Sequence, residues 1–313
     1  MTVTTRRRLH IVVTCANRKR RPVPAMLQLR RVSGVRTTTR LNRWTQRLTS
    51  NDADTVRAED LYAGEHWDIA HNLPTYATGF TRRALWVASA GWGLIPASAQ
   101  IRPYSATYSP GYLDSVPDGR RGAQDWWNAM AAWSGPQSGT PRSLAALVAE
   151  HPRDRILLVL SQSYFAACTD DLANALEVAA NESLISVVAA GVTTDSDLAA
   201  WQLPANARLQ HMLGGTRGSL NARIAAHLLS AGLTDHDAMQ RHLRRMLAKA
   251  PALPVYARRR ITDAEVRTFI RTRRKQDPDA SRASLLRDLR DAGMACEQRR
   301  FAELFVAMAG AQS

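Results

Sequence analysis

The chain has 313 residues, 45% of them hydrophobic, and a formal net charge of +15. That length holds one large domain or two ordinary ones, and the apolar content supports a buried core and excludes a disordered chain. Three cysteines exclude a disulfide scaffold and point to a reducing environment.

Residues 1–57 carry 14 basic and 2 acidic side chains, a net of +12. Within them Arg6-Arg7-Arg8 leads into a short apolar run, Leu9 to Ala16, closed by Asn17-Arg18-Lys19. The run is too short to span a membrane and no clean cleavage site follows it, so Leu9–Thr14 is read as a first buried strand of a cytoplasmic protein. Residues 20–58 are basic and poor in apolar periodicity, which predicts a long ordered loop or a mobile arm. Further strands are predicted at Ala84–Ser89, Ile156–Leu160, Leu184–Ala189 and Leu209–Leu213. Their apolar runs are continuous, as in strands covered on both faces. Helical patterns lie between them at Arg120–Ala132, Leu144–Glu150, Thr169–Ala180 and Leu220–Leu229. The order predicts an α/β domain over residues 1–235, with a mostly parallel central sheet and flanking helices.

Residues 58–235 carry 11 basic and 16 acidic side chains, and residues 236–313 carry 17 and 9. Pro251 and Pro254 open a second region, 255–313. Thr262-Asp263-Ala264-Glu265 fits a capping box, Leu285, Leu286 and Leu289 mark a helix that stops at Gly293, and Phe301, Leu304, Phe305 and Met308 mark a last helix. This is a small helical, helix-turn-helix-like domain with Arg273, Arg274, Arg299 and Arg300 as nucleic-acid contacts. The chain has 39 Arg and 3 Lys. A compositional bias toward arginine would spread the charge evenly, whereas here two basic ends flank an acidic middle, as suits a polyanion held at two places.

In a parallel sheet the site forms beyond the carboxyl ends of the strands. The residues there are Cys15, Asn17 and Lys19, then Ser89 to Leu94, then Ser161, Gln162, Ser163 and Tyr164, then Gly214 to Ser219. The alternative for each segment is ordinary turn chemistry. Trp92, Tyr104, Tyr108 and Tyr112 stand in a Gly-, Pro- and Ser-rich stretch off any periodic element, which suits stacking on a planar base. Asp114 is the candidate catalytic carboxylate, with Asp118 as its rival and a helix N-cap as its structural alternative. The Gly214–Ser219 stretch precedes a helix and offers N–H groups to a phosphate, with Arg217 beside it, but matches neither a P-loop nor a dinucleotide fingerprint. His66/His71 and His236/His242 lack zinc spacing, no CxxC and no GxSxG is present, and no metal or cofactor is expected.

Cys15-Ala16-Asn17-Arg18-Lys19 after the first strand, Asp60-Leu61-Tyr62-Ala63-Gly64, Ser89-Ala90-Gly91-Trp92-Gly93-Leu94 and Ile101-Arg102-Pro103-Tyr104 resemble the YaaA-like peroxide-stress superfamily and a related family of domains from phage and defence loci. The resemblance covers about residues 9–230, and Gly91-Trp92 stands where that superfamily has Lys-Tyr. It implies a DNA-associated α/β fold similar to uracil-DNA-glycosylase-like domains and to bacterial anti-phage glycosylases that remove glucosylated hydroxymethylcytosine. The expectation is a DNA glycosylase that flips a modified base out of double-stranded DNA. Trp92, Tyr104, Tyr108 and Tyr164 would stack on the base, and Asn17, Ser161 and Ser163 would read its edge. Cys15, Lys19 and Ser89 would line the pocket, Asp114 would act on water or the sugar cation, and Arg18, Arg20 and Arg217 would hold phosphates. With Lys19 the one side-chain amine near the site, a monofunctional enzyme is expected. The competing readings are a non-enzymatic DNA-binding regulator and a base-exchange enzyme of the deazaguanine type.

Overall fold

The computed structural model describes residues 8–34, 36–50, 54–117, 119–192, 197–253 and 257–310. Arg6, Arg7, Asp118, Pro254 and the side chain of Arg299 lie outside the described residues. The chain divides into two compact units, Met1–Pro251 and Ala252–Ser313.

The first unit is α/β. Five strands, β1 (Arg8–Thr14), β2 (Arg82–Ser89), β3 (Gly93–Pro96), β4 (Arg155–Val159) and β5 (Ile185–Val188), form one sheet in the order β3-β2-β1-β4-β5. All neighbours are parallel except the β2–β3 hairpin. Leu9, Ile11, Val12 and Val13 are all buried, so both faces of β1 are covered, and this is why its apolar run is unbroken. The hairpin turns through Ala90-Gly91-Trp92, where the Ser89 hydroxyl accepts the N–H groups of Gly91 and Trp92. Gly93 follows at φ 70°. A Cβ at Gly91 would overlap the Tyr104 ring, so no larger residue fits there without moving that ring.

Residues 20–58 are no loose arm. They contain helix α1 (Thr37–Thr49), whose Leu41, Trp44 and Leu48 are buried. The Trp44 indole donates to Gly91 O at 2.8 Å, and Trp126 donates to Ala90 O at 2.8 Å. Arg102, also buried, donates to the last carbonyls of this helix through Arg47 O at 2.7 Å. Leu209–Leu213 is not a fifth strand. The Asn206 side chain accepts from Arg208 N and starts a helical turn, which continues as the short helix Gln210–Leu213.

Besides the short turns Ala58–Leu61 and Leu73–Tyr76, the remaining helices are α2 (Glu65–Ala70), α3 (Gly119–Ala131), α4 (Leu144–Glu150), α5 (Gln162–Glu177), α6 (Leu220–Ser230) and α7 (His236–Lys249). Helix α5 starts seven residues before its predicted start at Thr169, directly after β4. Its buried Asp171 accepts from Leu144 N and Ala145 N at the start of α4 and from the Trp127 indole of α3, fastening three helices. Helix α7 belongs to the first unit, with Met239 and Leu243 in its core, so the unit ends later than the predicted residue 235. Along β3, buried Arg142 donates to Leu94 O and Trp92 O, each at 2.5 Å. Along β5, Val187 pairs with residues 201–203 through Val187 N to Trp201 O and Leu203 N to Val187 O.

The second unit is helical: α8 (Asp263–Gln276), α9 (Arg282–Asp291) and α10 (Gln298–Gly310). Helix α8 opens with the predicted Thr262–Glu265 capping box. Val266, Ile270, Leu285, Leu289 and Phe301 form a separate small core. Arg259–Arg260 pairs in parallel with Met294–Ala295 between α9 and α10. No helix among the described residues is long and apolar enough to cross a membrane.

At the start of β1, His10 is 2% exposed. The Trp86 indole donates to His10 Nδ1 at 3.1 Å, which leaves the ring proton on Nε2, facing Asp154 at 3.1 Å. His151 stacks on the same ring. His10, His151 and Asp154 bring their ligand atoms within 4.8 Å of one another. Metal binding through His10 Nε2 would displace a proton from a ring whose other nitrogen already accepts a hydrogen bond, so His10 does not fit as a ligand. A second proton on Nδ1 would meet the Trp86 N–H. Burial lowers the His10 pKa from 6.5. A base depressed on folding contributes stability that is present above the unfolded value and lost as pH falls through the folded one. The melting temperature is therefore expected to fall as pH drops from about 7 to about 5, and to fall less in Trp86→Phe. Equal slopes in thermal melts of the two proteins would remove this role for His10.

Candidate functional site

The chain runs from β1 outward to β2 and β3, then returns to β4 and β5 on the other side of β1. The order of the sheet thus reverses between β1 and β4, and a crevice opens beyond their carboxyl ends. A cleft of about 490 Å³ lies there. Thr14 to Arg18 form the wall from β1, and Ser161 and Tyr164 the wall from the β4–α5 turn. Ala63 to His66, Thr107, Ser109, Thr216 and Gly218 complete it. The long β1–β2 connection reaches the cleft because it folds back on the end of β1, through Ala63 N to Arg18 O at 3.0 Å and Arg20 N to Leu61 O at 2.8 Å. Gly64, at φ 98°, turns the chain so that Glu65 and His66 open α2 at the rim.

Of the predicted residues, Cys15, Asn17, Arg18, Ser161 and Tyr164 meet in this cleft. Cys15 Sγ lies 3.0 Å from the Tyr164 hydroxyl, whose pKa burial pushes far up, so the phenol stays protonated. Ser161 stands at the N-cap of α5 without capping it, and its hydroxyl lies 3.3 Å from that of Ser163. Arg18 and Arg217 are exposed.

The other predictions are corrected. Asp114 does not line the cleft. Its carboxylate accepts Arg30 N at 2.9 Å, Arg30 Nη1 at 2.7 Å and the Ser105 hydroxyl at 2.7 Å, tying residues 29–31 to the 104–116 loop. It is neither a catalytic carboxylate nor a helix cap. Trp92, Tyr104 and Ser89 are core residues: Trp92 packs on Trp133, and the Tyr104 hydroxyl joins those of Ser89 and Tyr62. Tyr108 is buried edge-on against Tyr164. These aromatics are off any periodic element, yet distant parts of the chain pack on them, Trp133 on Trp92, Tyr62 on Tyr104, and Trp127 and Tyr164 on Tyr108. Lys19 does not line the cleft. Its ammonium sits 4.6 Å from the Tyr104 ring centre, and burial lowers its pKa, opposed by Cys15 and Asp114. Ser163 stands one step behind Ser161. Arg20 donates to Tyr62 O and faces Asp68 at 3.8 Å. In the second unit Arg273 lies over Phe269, Arg274 packs on Phe305 at 4.3 Å, and Arg300 pairs with Asp263 at 2.6 Å.

Two residues at the centre of the cleft escaped prediction. Glu65 is the one carboxylate among the described cleft residues. Hydrogen bonds from Thr216 and from Arg223, the latter at 2.5 Å, hold its pKa at about 2. The Gly214–Ser219 loop therefore already carries an anion, the Glu65 carboxylate facing Thr216 N at 3.3 Å. His66 Nε2 lies 3.0 Å from Thr14 O, an acceptor only, so Nε2 bears the proton and Nδ1 the lone pair. Nδ1 is buried without a hydrogen-bond partner among the described residues, and burial lowers the ring's pKa below 6.5. An ionised carboxylate and a neutral imidazole with an unspent acceptor thus stand side by side in a cleft of nucleotide size. Comparison of the chain with family models, with curated proteins and with solved structures finds no match.

Proposed function

We propose that the chain hydrolyses an N-glycosidic bond in DNA, on a base turned out of the duplex into the strand-end cleft. The adjacent Glu65 and His66, both held in their basic forms, one charged and one neutral, carry this reading. As the bond from the sugar to the base lengthens, positive charge grows on the sugar, and the fixed Glu65 carboxylate opposes it. Water adds to the sugar carbon and gives its proton to His66 Nδ1, which is buried in the free chain and has to be uncovered as the base enters. The base leaves with the bonding electron pair and takes up that proton, leaving an abasic site. Asn17 and Ser161 meet the polar edge of the base, and the Tyr164 phenol and Cys15 form the floor.

Tyr112 and Leu113 further support the reading. They are 60% and 78% exposed at the tip of the loop whose stem supplies Thr107 and Ser109 to the cleft. Apolar side chains at such a rim fill the gap that a flipped base leaves. The basic ends of the chain supply phosphate contacts.

The test is a panel of plain, damaged and phage-modified duplexes, glucosylated hydroxymethylcytosine included, scored for alkali-labile sites. One substrate is expected to yield them. Borohydride is expected to trap no protein–DNA adduct, because no lysine lines the cleft. Absence of abasic sites on every duplex would leave a binding protein without chemistry, and an adduct lost in Lys19→Ala would replace the water mechanism with an amine one.

A further inference from the structure

A concave surface of the second unit gathers several guanidinium groups. A depression of about 580 Å³ is lined by Arg258, Arg260, Arg290 and Arg300, with Cys296 and Glu297 at its wall. A second depression of about 300 Å³ is also lined by Arg258 and Arg290, and adds Arg287 and one carboxylate, Asp291. We propose that these two depressions form one seat for successive backbone phosphates of a nucleic-acid strand.

Three of the arginines are held in place before any ligand arrives. Arg258 Nε donates to Arg290 O at 3.1 Å, Arg290 Nη2 to Cys296 O at 3.3 Å, and Arg300 Nη2 to Ile261 O at 2.9 Å. A guanidinium has five N–H donors in a rigid fork, so carbonyl contacts fix its plane while leaving Arg290 and Arg300 donors for an oxyanion. Arg260 is set by the two-residue strand pairing with Met294–Ala295. Against four guanidiniums the larger depression has one carboxylate of its own, Glu297, and Asp263 is paired with Arg300. Two depressions that share Arg258 and Arg290 suit a polymer with regularly spaced charges better than a single phosphate. Arg300 thus serves the unit by holding phosphate rather than by reading a groove.

This seat rests on the nucleic-acid part of the function proposed above and not on excision, so an unmodified duplex is the probe. Full-length protein is titrated with it by fluorescence anisotropy over a salt series. Arg260→Gln and Arg287→Gln are each expected to lower the slope of log affinity against log salt by about 1 and to weaken binding by about 5–10-fold. Arg267→Gln, an exposed position on α8 outside both depressions, is expected to change binding by less than about twofold. Equal losses in all three variants, or none in any, would overturn the seat in favour of diffuse charge. Displacement of the duplex by inorganic pyrophosphate, lost in Arg260→Gln, would overturn the nucleic-acid assignment in favour of a small phosphorylated ligand.

Discussion

Glu65→Gln is expected to lower the excision rate by about 10²–10⁴-fold while leaving duplex affinity within about twofold. The amide keeps an oxygen for Thr216 N, so the Gly214–Ser219 loop retains its tie. What is lost is a full negative charge at the point where the sugar becomes positive. The carboxylate also pairs with Arg223, so a structural explanation is separated by a second variant. Arg223→Gln breaks the same ion pair and leaves Glu65 ionised. If Glu65 acts on the sugar, Arg223→Gln loses at most about tenfold and raises the Glu65 pKa toward its usual range. Equal losses in both variants would reduce Glu65 to a loop fastener. In the parent, Glu65 stays ionised down to about pH 2. The acid limb of the rate should therefore belong to His66, active while neutral and failing as pH drops through its lowered pKa.

Asp114→Ala is expected to destabilise the first unit by about 2–4 kcal/mol and to lower excision only in proportion to the folded fraction. The side chain is 7% exposed and accepts three hydrogen bonds, two from Arg30 and one from Ser105. Its removal leaves the Arg30 N–H and the Ser105 hydroxyl without their acceptor. The guanidinium of Arg30 is 37% exposed and recovers water, which holds the cost below that of a fully buried pair. The melting temperature of folded protein should fall by about 5–10 °C. Asp114→Asn, which keeps the acceptor oxygen, should recover most of the loss. A stable Asp114→Asn protein with no excision would restore the catalytic role that the geometry removes.

These two carboxylates also show what a sequence discloses and what it withholds. The strand interiors of β1, β2, β4 and β5 were legible because burial on both faces demands unbroken apolar runs. The second-unit helices were legible because Thr262–Glu265 and Gly293 are local signals that act within one turn. The site was half legible. Cys15, Asn17, Ser161 and Tyr164 follow from the rule that ligands gather at strand ends. Glu65 and His66 did not follow, because a Glu after a Gly reads as any helix start. What brings them to the cleft is the fold-back of the 60s onto Arg18 and Arg20, a contact between distant parts of the chain. The aromatic segment misled for the same reason. Trp92 and Tyr104 carry no local mark of being covered, and their cover is packing from distant segments, among them α1, whose Leu41, Trp44 and Leu48 repeat lies inside an arginine-rich stretch.

The two margins of the central sheet bear on how this chain meets other molecules. A sheet ends in rows of unpaired backbone groups, and such rows invite strands from other chains. Here the β3 margin spends its Leu94 and Trp92 carbonyls on the Arg142 guanidinium, and the β5 margin pairs Val187 with residues 201–203. Strand addition at either margin would first have to break these contacts. Edge-to-edge association of copies of this chain is thereby opposed at both margins. Recruitment of other molecules to the first unit falls to side chains and loops, where it can be specific.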